Sequence, residues 1–154
     1  SGSVYVTGYG TELGNFCFAT LKYNPSGLLQ WERKFNRMPN SNDIARSIAL
    51  DGFGNVYVTG DSEDSTQRSN ALTIKYNSDG VQQWIIIDTL ETSSKSIVTD
   101  SYGNIYITGS VYYNNDQSYD YLTIKYNSDS FIKASVLSGN LTTVLSRISL
   151  VCRV

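Results

Sequence analysis

Residues 47–84 read SIALDGFGNVYVTGDSEDSTQRSNALTIKYNSDGVQQW, and pieces of this segment recur on both sides of it at a period of about fifty residues. One motif, Val/Ile-Tyr-Val/Ile-Thr-Gly, occurs three times, at residues 4–8, 56–60 and 105–109. A second motif, Leu/Ile-Lys-Tyr-Asn, follows each copy in step, at residues 21–24, 74–77 and 124–127. A fixed period of this size indicates a solenoid, a propeller or another repeat array.

The segments within one repeat read as strands. The chain has 154 residues with 12 tyrosines, 12 glycines and only 2 prolines, which suits strands joined by turns that need positive φ. Alternation of apolar residues predicts four short strands in the second copy, over residues 45–50, 56–59, 71–76 and 81–87. Tight turns rich in Asp, Asn and Gly separate the first pair and the last pair of these strands.

Sheets that are apolar on both faces need a neighbour on each side. Radial stacking of four-stranded blades in a β-propeller satisfies this need, and such rings have typically four to eight blades. We therefore predict an all-β chain that forms about three four-stranded blades, as a fragment of a larger propeller. A β-sandwich of many short strands is the alternative, although sandwiches seldom show so regular a two-motif period.

The repeat spacing also predicts where each blade begins and ends. We expect blade one at residues 1–38 without its first strand, blade two at 44–90, blade three at 95–137, and a tail at 138–154. The third copy is degenerate, because Ser130 and Ala134 stand where the other copies have a turn glycine and a tryptophan. The chain starts inside a turn that the other copies possess whole, which suggests a piece of a longer protein.

The tail contains a segment that resembles a first strand. Residues 146–151 (SRISLV) match residues 46–51 (RSIALD) in spacing and apolar alternation, so they are expected to pair with residues 4–7 and complete blade one. Three blades are fewer than the usual number, so a ring of two chains and six blades, or an open fragment, is favoured over closure within one chain. The alternative is a tail from residue 132 onward without a fixed partner. Cys17 and Cys152 are too few for a disulfide framework and are expected to stay unbridged.

The segments SIALDGFGNVYVTG and LTIKYNSDGVQQW together resemble the bacterial β-propeller repeat called SBBP, over roughly residues 2–130. The combination of Asp-x-x-Gly-Asn-Val-Tyr-Val-Thr-Gly, Lys-Tyr-Asn-x-x-Gly and a following Trp carries this resemblance. The resemblance implies a bacterial protein that is secreted or attached to the cell surface. It implies no catalytic residue, so none is transferred to this chain.

Composition argues against several classes of function. A net charge of −2 with 17% charged residues leaves no electrostatic footprint for nucleic acid or an anionic membrane. The chain has no histidine, the commonest general base and metal ligand, and we expect no catalytic residue, cofactor or metal. The acidic segment at residues 61–64 (DSED) could attract calcium, but a solvated face is the favoured interpretation. A fragment of a propeller enzyme whose catalytic residues lie in other blades is the least favoured alternative.

Polar residues and tryptophans that recur between copies point to structure. Asp51 and Asp100 are expected to order the turns of their blades, and Trp31 and Trp84 are expected to wedge between neighbouring blades rather than to form exposed ligand platforms.

The segments that vary between copies are the candidates for recognition. Residues 9–16, 61–70 and 110–120 have no shared sequence, and strand order predicts them on one face of the propeller together with residues 36–43. The last of these loops pairs aromatic rings with amide and carboxylate groups, a combination that suits sugars. Its candidate binding residues are Tyr112, Tyr113, Asn114, Asn115, Asp116 and Tyr119. The alternative is a solvated loop whose tyrosines fold back onto the blade.

These observations favour a non-catalytic extracellular binding module that contacts a glycan or a protein through its variable loops. The alternative is a structural spacer or adhesion scaffold without a specific ligand. Further partners expected are the remaining blades of a parent propeller or a second copy of the chain, with no nucleic acid and no membrane insertion.

Overall fold

A computed structural model describes residues 2–88, 91–113, 117–127 and 133–138, and these residues form strands joined by turns. The strands are β1 Val4–Glu12, β2 Asn15–Tyr23, β3 Leu29–Phe35, β4 Asp43–Leu50, β5 Val56–Glu63, β6 Ser69–Tyr76, β7 Gln82–Ile87, β8 Thr92–Thr99, β9 Ile105–Tyr113, β10 Ser118–Tyr126 and β11 Lys133–Ser138. Within the described residues, no helix is long and apolar enough to cross a membrane.

The strands form three antiparallel sheets, which we call blades one, two and three. Blade one contains β1-β2-β3, blade two β4-β5-β6-β7 and blade three β8-β9-β10-β11, each in up-and-down order. The all-β, propeller-type fold is therefore confirmed. Residues 146–151, the segment expected to complete blade one, and Cys152 lie outside the described residues, whereas Cys17 is a buried thiol on β2.

The variable segments are mostly strand, which corrects the expectation of long loops. In blade two the ladder between β5 and β6 continues to the pair Glu63 and Ser69, and in blade three the ladder between β9 and β10 continues to Tyr113 and Ser118. In blade one only Leu13 and Gly14 remain between the strands. Backbone groups pair whatever the side chains are, so a segment without shared sequence still extends the hairpin.

The repeated aspartates order the tight turns, as predicted. One carboxylate oxygen of Asp51 accepts hydrogen bonds from the amides of Phe53 and Asn55, both at 2.9 Å. The other oxygen accepts from Asn55 Nδ2 at 2.7 Å and from the hydroxyl of Tyr57 at 2.9 Å. Asp100 makes the same four bonds in blade three. The motif Asp-x-x-Gly-Asn-x-Tyr is thus a single hydrogen-bonded unit that links a turn to the following strand.

These hydrogen bonds also shift the pKa values of the groups involved. Burial raises the pKa of Asp51, but the hydrogen bonds from Asn55, Tyr57 and Phe53 outweigh burial and leave this pKa below its ordinary value. Burial, reinforced by the neighbouring carboxylate, raises the pKa of Tyr57. Tyr57 therefore stays a neutral donor to a charged acceptor. Lys75 lies over its ring, 5.2 Å from the centroid, so the repeated Asp51, Tyr57 and Lys75 belong to one local arrangement.

The glycine of the Val-Tyr-Val-Thr-Gly motif allows the neighbouring strand to bulge. Gly60 pairs with Ala45, where β4 has a register shift around Arg46. A Cβ atom on Gly60 would overlap the carbonyl oxygen of Ile44. Gly109 stands in the same relation to Ser93 in blade three, so the glycine marks the place where a bulged first strand approaches the second.

The hydrophobic cores lie between the blades. One cluster joins Phe18 and Trp31 of blade one to Val56, Val58 and other apolar residues of blade two. Trp31 is buried, and its Nε1 donates a 3.1 Å hydrogen bond to the carbonyl of Ser78 in blade two. The prediction that this tryptophan wedges between blades is confirmed.

The second hydrophobic cluster lies between blades two and three. It joins Tyr57 to the isoleucines of blade three, with the half-buried Trp84 packed against it. The ring centroid of Trp84 lies 5.9 Å from that of Tyr57 in the same blade, and the two rings together cover the apolar residues of blade three. Each pair of adjacent blades therefore has one apolar cluster, and the ends of the hairpins project beyond it.

Candidate binding cleft

A cleft of about 490 Å³ opens between the hairpin ends of blades two and three. Blade two contributes the β5–β6 turn through Gln67 and Arg68, and blade three contributes the start of β8 together with Tyr112 and Tyr119. The volume lies within the range of small-ligand sites. The variable segments of two blades and the connection between the blades therefore meet at one place, on the side of the sheets opposite the tight turns.

The blade-two wall of the cleft is a rigid turn. Asp64 accepts hydrogen bonds from the amide and the hydroxyl of Thr66 and from the amide of Arg68, which is the pattern of the Asp51 turn. The hydrogen bond from the Thr66 side chain is the largest cause that lowers the pKa of Asp64 to about 2. Gln67 adopts φ 63, in the left-handed region, at the position where the tight turns have glycine. The hydrogen bonds of the turn, and not packing against a hydrophobic core, therefore hold Gln67 and Arg68 at the cleft.

An ion pair crosses the cleft from one blade to the connection that leads to the next. Arg68 Nε lies 3.0 Å from Glu91 Oε1, and Glu91 is the better buried of the two side chains. Lys95, on the bulge of β8, donates a 2.7 Å hydrogen bond to the hydroxyl of Ser93. Each charged group at the cleft thus has a local partner, and no large field of one sign develops among them.

Two tyrosines form the blade-three wall. Tyr112 on β9 and Tyr119 on β10 are register partners, and their ring centroids lie 4.9 Å apart at an interplanar angle of 48°. The backbone amide of Tyr112 donates a 2.8 Å hydrogen bond to the carbonyl of Glu91. Tyr119 is 73% exposed. The pair therefore presents an open aromatic surface that is fixed by backbone pairing.

The structure brings together part of the predicted binding set. Tyr112 and Tyr119 line the cleft, and Tyr113 is the last residue of β9. Asn114, Asn115 and Asp116 lie outside the described residues. The alternative in which the tyrosines fold back onto the blade does not describe Tyr119, whose ring is largely exposed.

Sequence reasoning missed the residues that blade two and the connection between the blades contribute. Arg68, Glu91 and Lys95 belong to three different segments. Lys95 occupies the bulge position that Arg46 has in blade two, whereas Arg68 and Glu91 do not repeat between copies. A signal for Arg68 existed, since it lies in the variable segment of blade two on the predicted face. Its pairing with Glu91 depends on how two blades stack. The spacing of motifs along the chain gives no information about this stacking.

The acidic segment at residues 61–64 is neither a solvated loop nor an open calcium site. Asp61 is buried on β5, where one oxygen accepts hydrogen bonds from the Ser93 hydroxyl and the Ser94 amide of blade three. Its other oxygen lies 2.9 Å from Arg46 Nε. Glu63 accepts two hydrogen bonds from Asn42. These carboxylates hold protein segments together, and among the described residues no three acidic or cysteine side chains group as metal ligands.

Comparison with known protein families identifies the repeat. The model of the SBBP family, described as a beta-propeller repeat, matches residues 38–64 and 85–110, which include β4 with β5 and β8 with most of β9. No curated protein matches the chain. The chain therefore carries SBBP beta-propeller repeats, as its motifs indicated. This is a structural repeat family that is not known as catalytic.

Proposed function

We propose that the protein is a non-catalytic binding module that contacts a glycan outside the cell through the cleft between blades two and three. The observation that carries the proposal is the pairing of an exposed aromatic surface at Tyr112 and Tyr119 with the Arg68–Glu91 ion pair across one opening. Aromatic faces accept the apolar face of a pyranose ring, and fixed polar groups orient its hydroxyls.

The charge balance favours a neutral sugar. Arg68 and Glu91 neutralise each other and still offer a planar donor and a carboxylate acceptor to neighbouring hydroxyl groups. Lys95 adds one further donor beside Ser93. An acidic polymer would meet the Glu91 carboxylate, and a basic ligand would meet Arg68 and Lys95. A hydroxyl-rich, uncharged ligand uses all these groups without a repulsive contact.

Several described groups whose pKa values are shifted serve structural roles. Burial raises the pKa of Tyr76 to about 12 and also raises that of Tyr126, and both residues belong to the cores between blades. Asp51 and Asp64, whose pKa values are lowered, both lie in hydrogen-bonded turns. Each of these shifts therefore has a structural explanation, in a core or in a turn.

A screen against a glycan array tests the proposal with four proteins. The unaltered chain is expected to bind a subset of neutral glycans, and Tyr119→Ala is expected to lose that binding because the stacking surface is removed. Tyr102→Ala is the matched control, since Tyr102 is an equally exposed tyrosine on a tight turn at the other end of blade three. Glu91→Gln should weaken binding while it keeps the side-chain shape.

The alternatives give different results in the same screen. Absence of binding to any glycan by a folded chain would favour a spacer or adhesion scaffold and contradict the proposal. Binding that survives Tyr119→Ala and Glu91→Gln would place the ligand elsewhere. Capture of a protein ligand that Tyr119→Ala abolishes, without glycan binding, would retain the cleft and overturn the assigned ligand class.

A further inference from the structure

Arg46 and Lys95 occupy the same place in two consecutive repeats. Each lies at the register shift that interrupts the pairing of the first strand of its blade with the second, Arg46 in β4 and Lys95 in β8. A bulge leaves one residue out of the ladder and can re-aim its side chain. The strands β4 and β8 contact each other, so both bulges lie at the junction of blades two and three.

Both side chains converge on one carboxylate oxygen. Arg46 Nε lies 2.9 Å from Asp61 Oδ2, and Lys95 Nζ lies 3.9 Å from the same oxygen. The other oxygen of Asp61 accepts hydrogen bonds from Ser93 and Ser94. Within the part of the chain that the structure describes, neither cation forms an ion pair with a second carboxylate. The group therefore combines two positive charges with one negative charge.

The repeat explains why these charges do not balance. At the register position that Asp61 has in blade two, blade three has Ser110. Arg46 thus has a carboxylate partner in its own blade, whereas Lys95 has a neutral hydroxyl at the corresponding position and lies near the carboxylate of the preceding blade. One carboxylate serves two cations.

The two cations are open to solvent, while the carboxylate that they share is nearly buried. The side chains of Arg46 and Lys95 are 42% and 57% exposed, and that of Asp61 is 12% exposed. Arg46 donates to Asp61 through Nε, which leaves the terminal nitrogens of its guanidinium without a partner among the described residues. Lys95 donates to the hydroxyl of Ser93, and an ammonium group has three donors. Several charged donors therefore face solvent together.

We propose that the guanidinium of Arg46 and the ammonium of Lys95 form a binding site for a small oxyanion, such as sulfate or a carboxylate. The planar guanidinium offers parallel donors to the oxygens of such a group, and the ammonium adds a compact charge. Neighbouring like charges repel, and Asp61 offsets only one of the two. A bound anion balances the second charge.

The arrangement favours an oxyanion over other charged ligands. A metal ion would be repelled by both cations, and chloride has a single atom with which to contact the guanidinium and the ammonium. Nucleic acids and acidic polymers are held by many cations in a row, whereas this site has one excess positive charge. The inference does not depend on the glycan, because Arg46 does not belong to the residues that line the cleft.

Nuclear magnetic resonance of the isotope-labelled full chain tests the site by titration with sodium sulfate, against sodium chloride at equal ionic strength. Sulfate should produce saturable shifts at residues 46, 61 and 93–95, and sodium acetate should move the same set. Arg46→Gln and Lys95→Gln should each weaken sulfate binding at least roughly tenfold, because each removes one of the two charges. Lys34→Gln is the matched control, since Lys34 is 46% exposed and has its own carboxylate partner in Glu32. It should leave sulfate binding unchanged.

The same titrations can overturn the proposal in two ways. Shifts of equal size with sulfate and with chloride would show screening of surface charge and no site. Saturable sulfate binding that survives both Arg46→Gln and Lys95→Gln would place the anion elsewhere. Circular dichroism checks that the variants are folded, and Arg46→Lys replaces Arg46→Gln if it is not. Arg46→Lys keeps the charge but removes the planar fork, so it should still weaken sulfate binding.

Discussion

Asp51→Ala should destabilise the fold, mainly because it leaves the buried hydroxyl of Tyr57 without a hydrogen-bond acceptor. The substitution removes all four hydrogen bonds that the carboxylate accepts. The amide of Phe53 can turn to water, because its turn is exposed, but the Tyr57 hydroxyl is buried and has no solvent to replace its acceptor. An orphaned buried donor and the lost charge-assisted bonds together predict a loss of about 2 to 4 kcal/mol in the free energy of unfolding.

Urea denaturation followed by tryptophan fluorescence measures this loss, with Tyr57→Phe and the double variant completing a cycle. Tyr57→Phe removes the donor, so the double variant should be clearly more stable than the sum of the single losses predicts. Asp100→Ala is the matched control. It should lower the free energy of unfolding by less than Asp51→Ala, because the Tyr106 hydroxyl that loses its acceptor is only partly buried. Equal losses at Asp51 and Asp100, together with additivity in the cycle, would show that the buried Tyr57 hydroxyl is not the main source of the loss.

Three further predictions concern the same scaffold. Trp31→Ala should lower the unfolding free energy by about 3 to 5 kcal/mol, because it leaves a cavity between blades one and two. Tyr119→Ala removes an exposed ring and should change the unfolding free energy by no more than about 0.5 kcal/mol. The unfolding free energy should fall as the pH drops below about 4. The reason is that the pKa of Asp51 is lower in the folded chain than in the unfolded chain, so the folded chain binds fewer protons in this range. An unfolding free energy that does not change with pH would contradict this. Gly60→Ala should lower the melting temperature sharply through overlap with backbone, whereas Gly10→Ala, whose Cβ atom meets Cys17 Sγ at 3.7 Å, should not.

The sequence predicted those features that depend on local chemistry or on the repeat itself. The Asp51 turn could be anticipated because its acceptor, its glycine and its asparagine lie within five residues. The wedge at Trp31 could be anticipated because a large ring that recurs at the end of the first two units, as Trp31 and Trp84, is best buried between units. The period gave the blade architecture for the same reason.

Features that depend on contacts between blades could not be predicted. Asp61 looked like part of a solvated acidic loop, and its role follows only from the position of Ser93 and Ser94 in the next blade. The ion pair between Arg68 and Glu91 likewise joins segments that no motif relates. The lengths of the hairpins were underestimated, because backbone pairing continues through residues that share no sequence between copies.

We propose that a neutral glycan binds in the cleft between blades two and three. Nuclear magnetic resonance tests this most directly, by titration of an isotope-labelled chain with the best glycan from the array. Chemical-shift changes should cluster at residues 67–69, 91–95 and 110–112, and the tight turn at residues 51–55 should stay unchanged. Changes centred on the tight turns, or no saturable change at millimolar glycan, would contradict it.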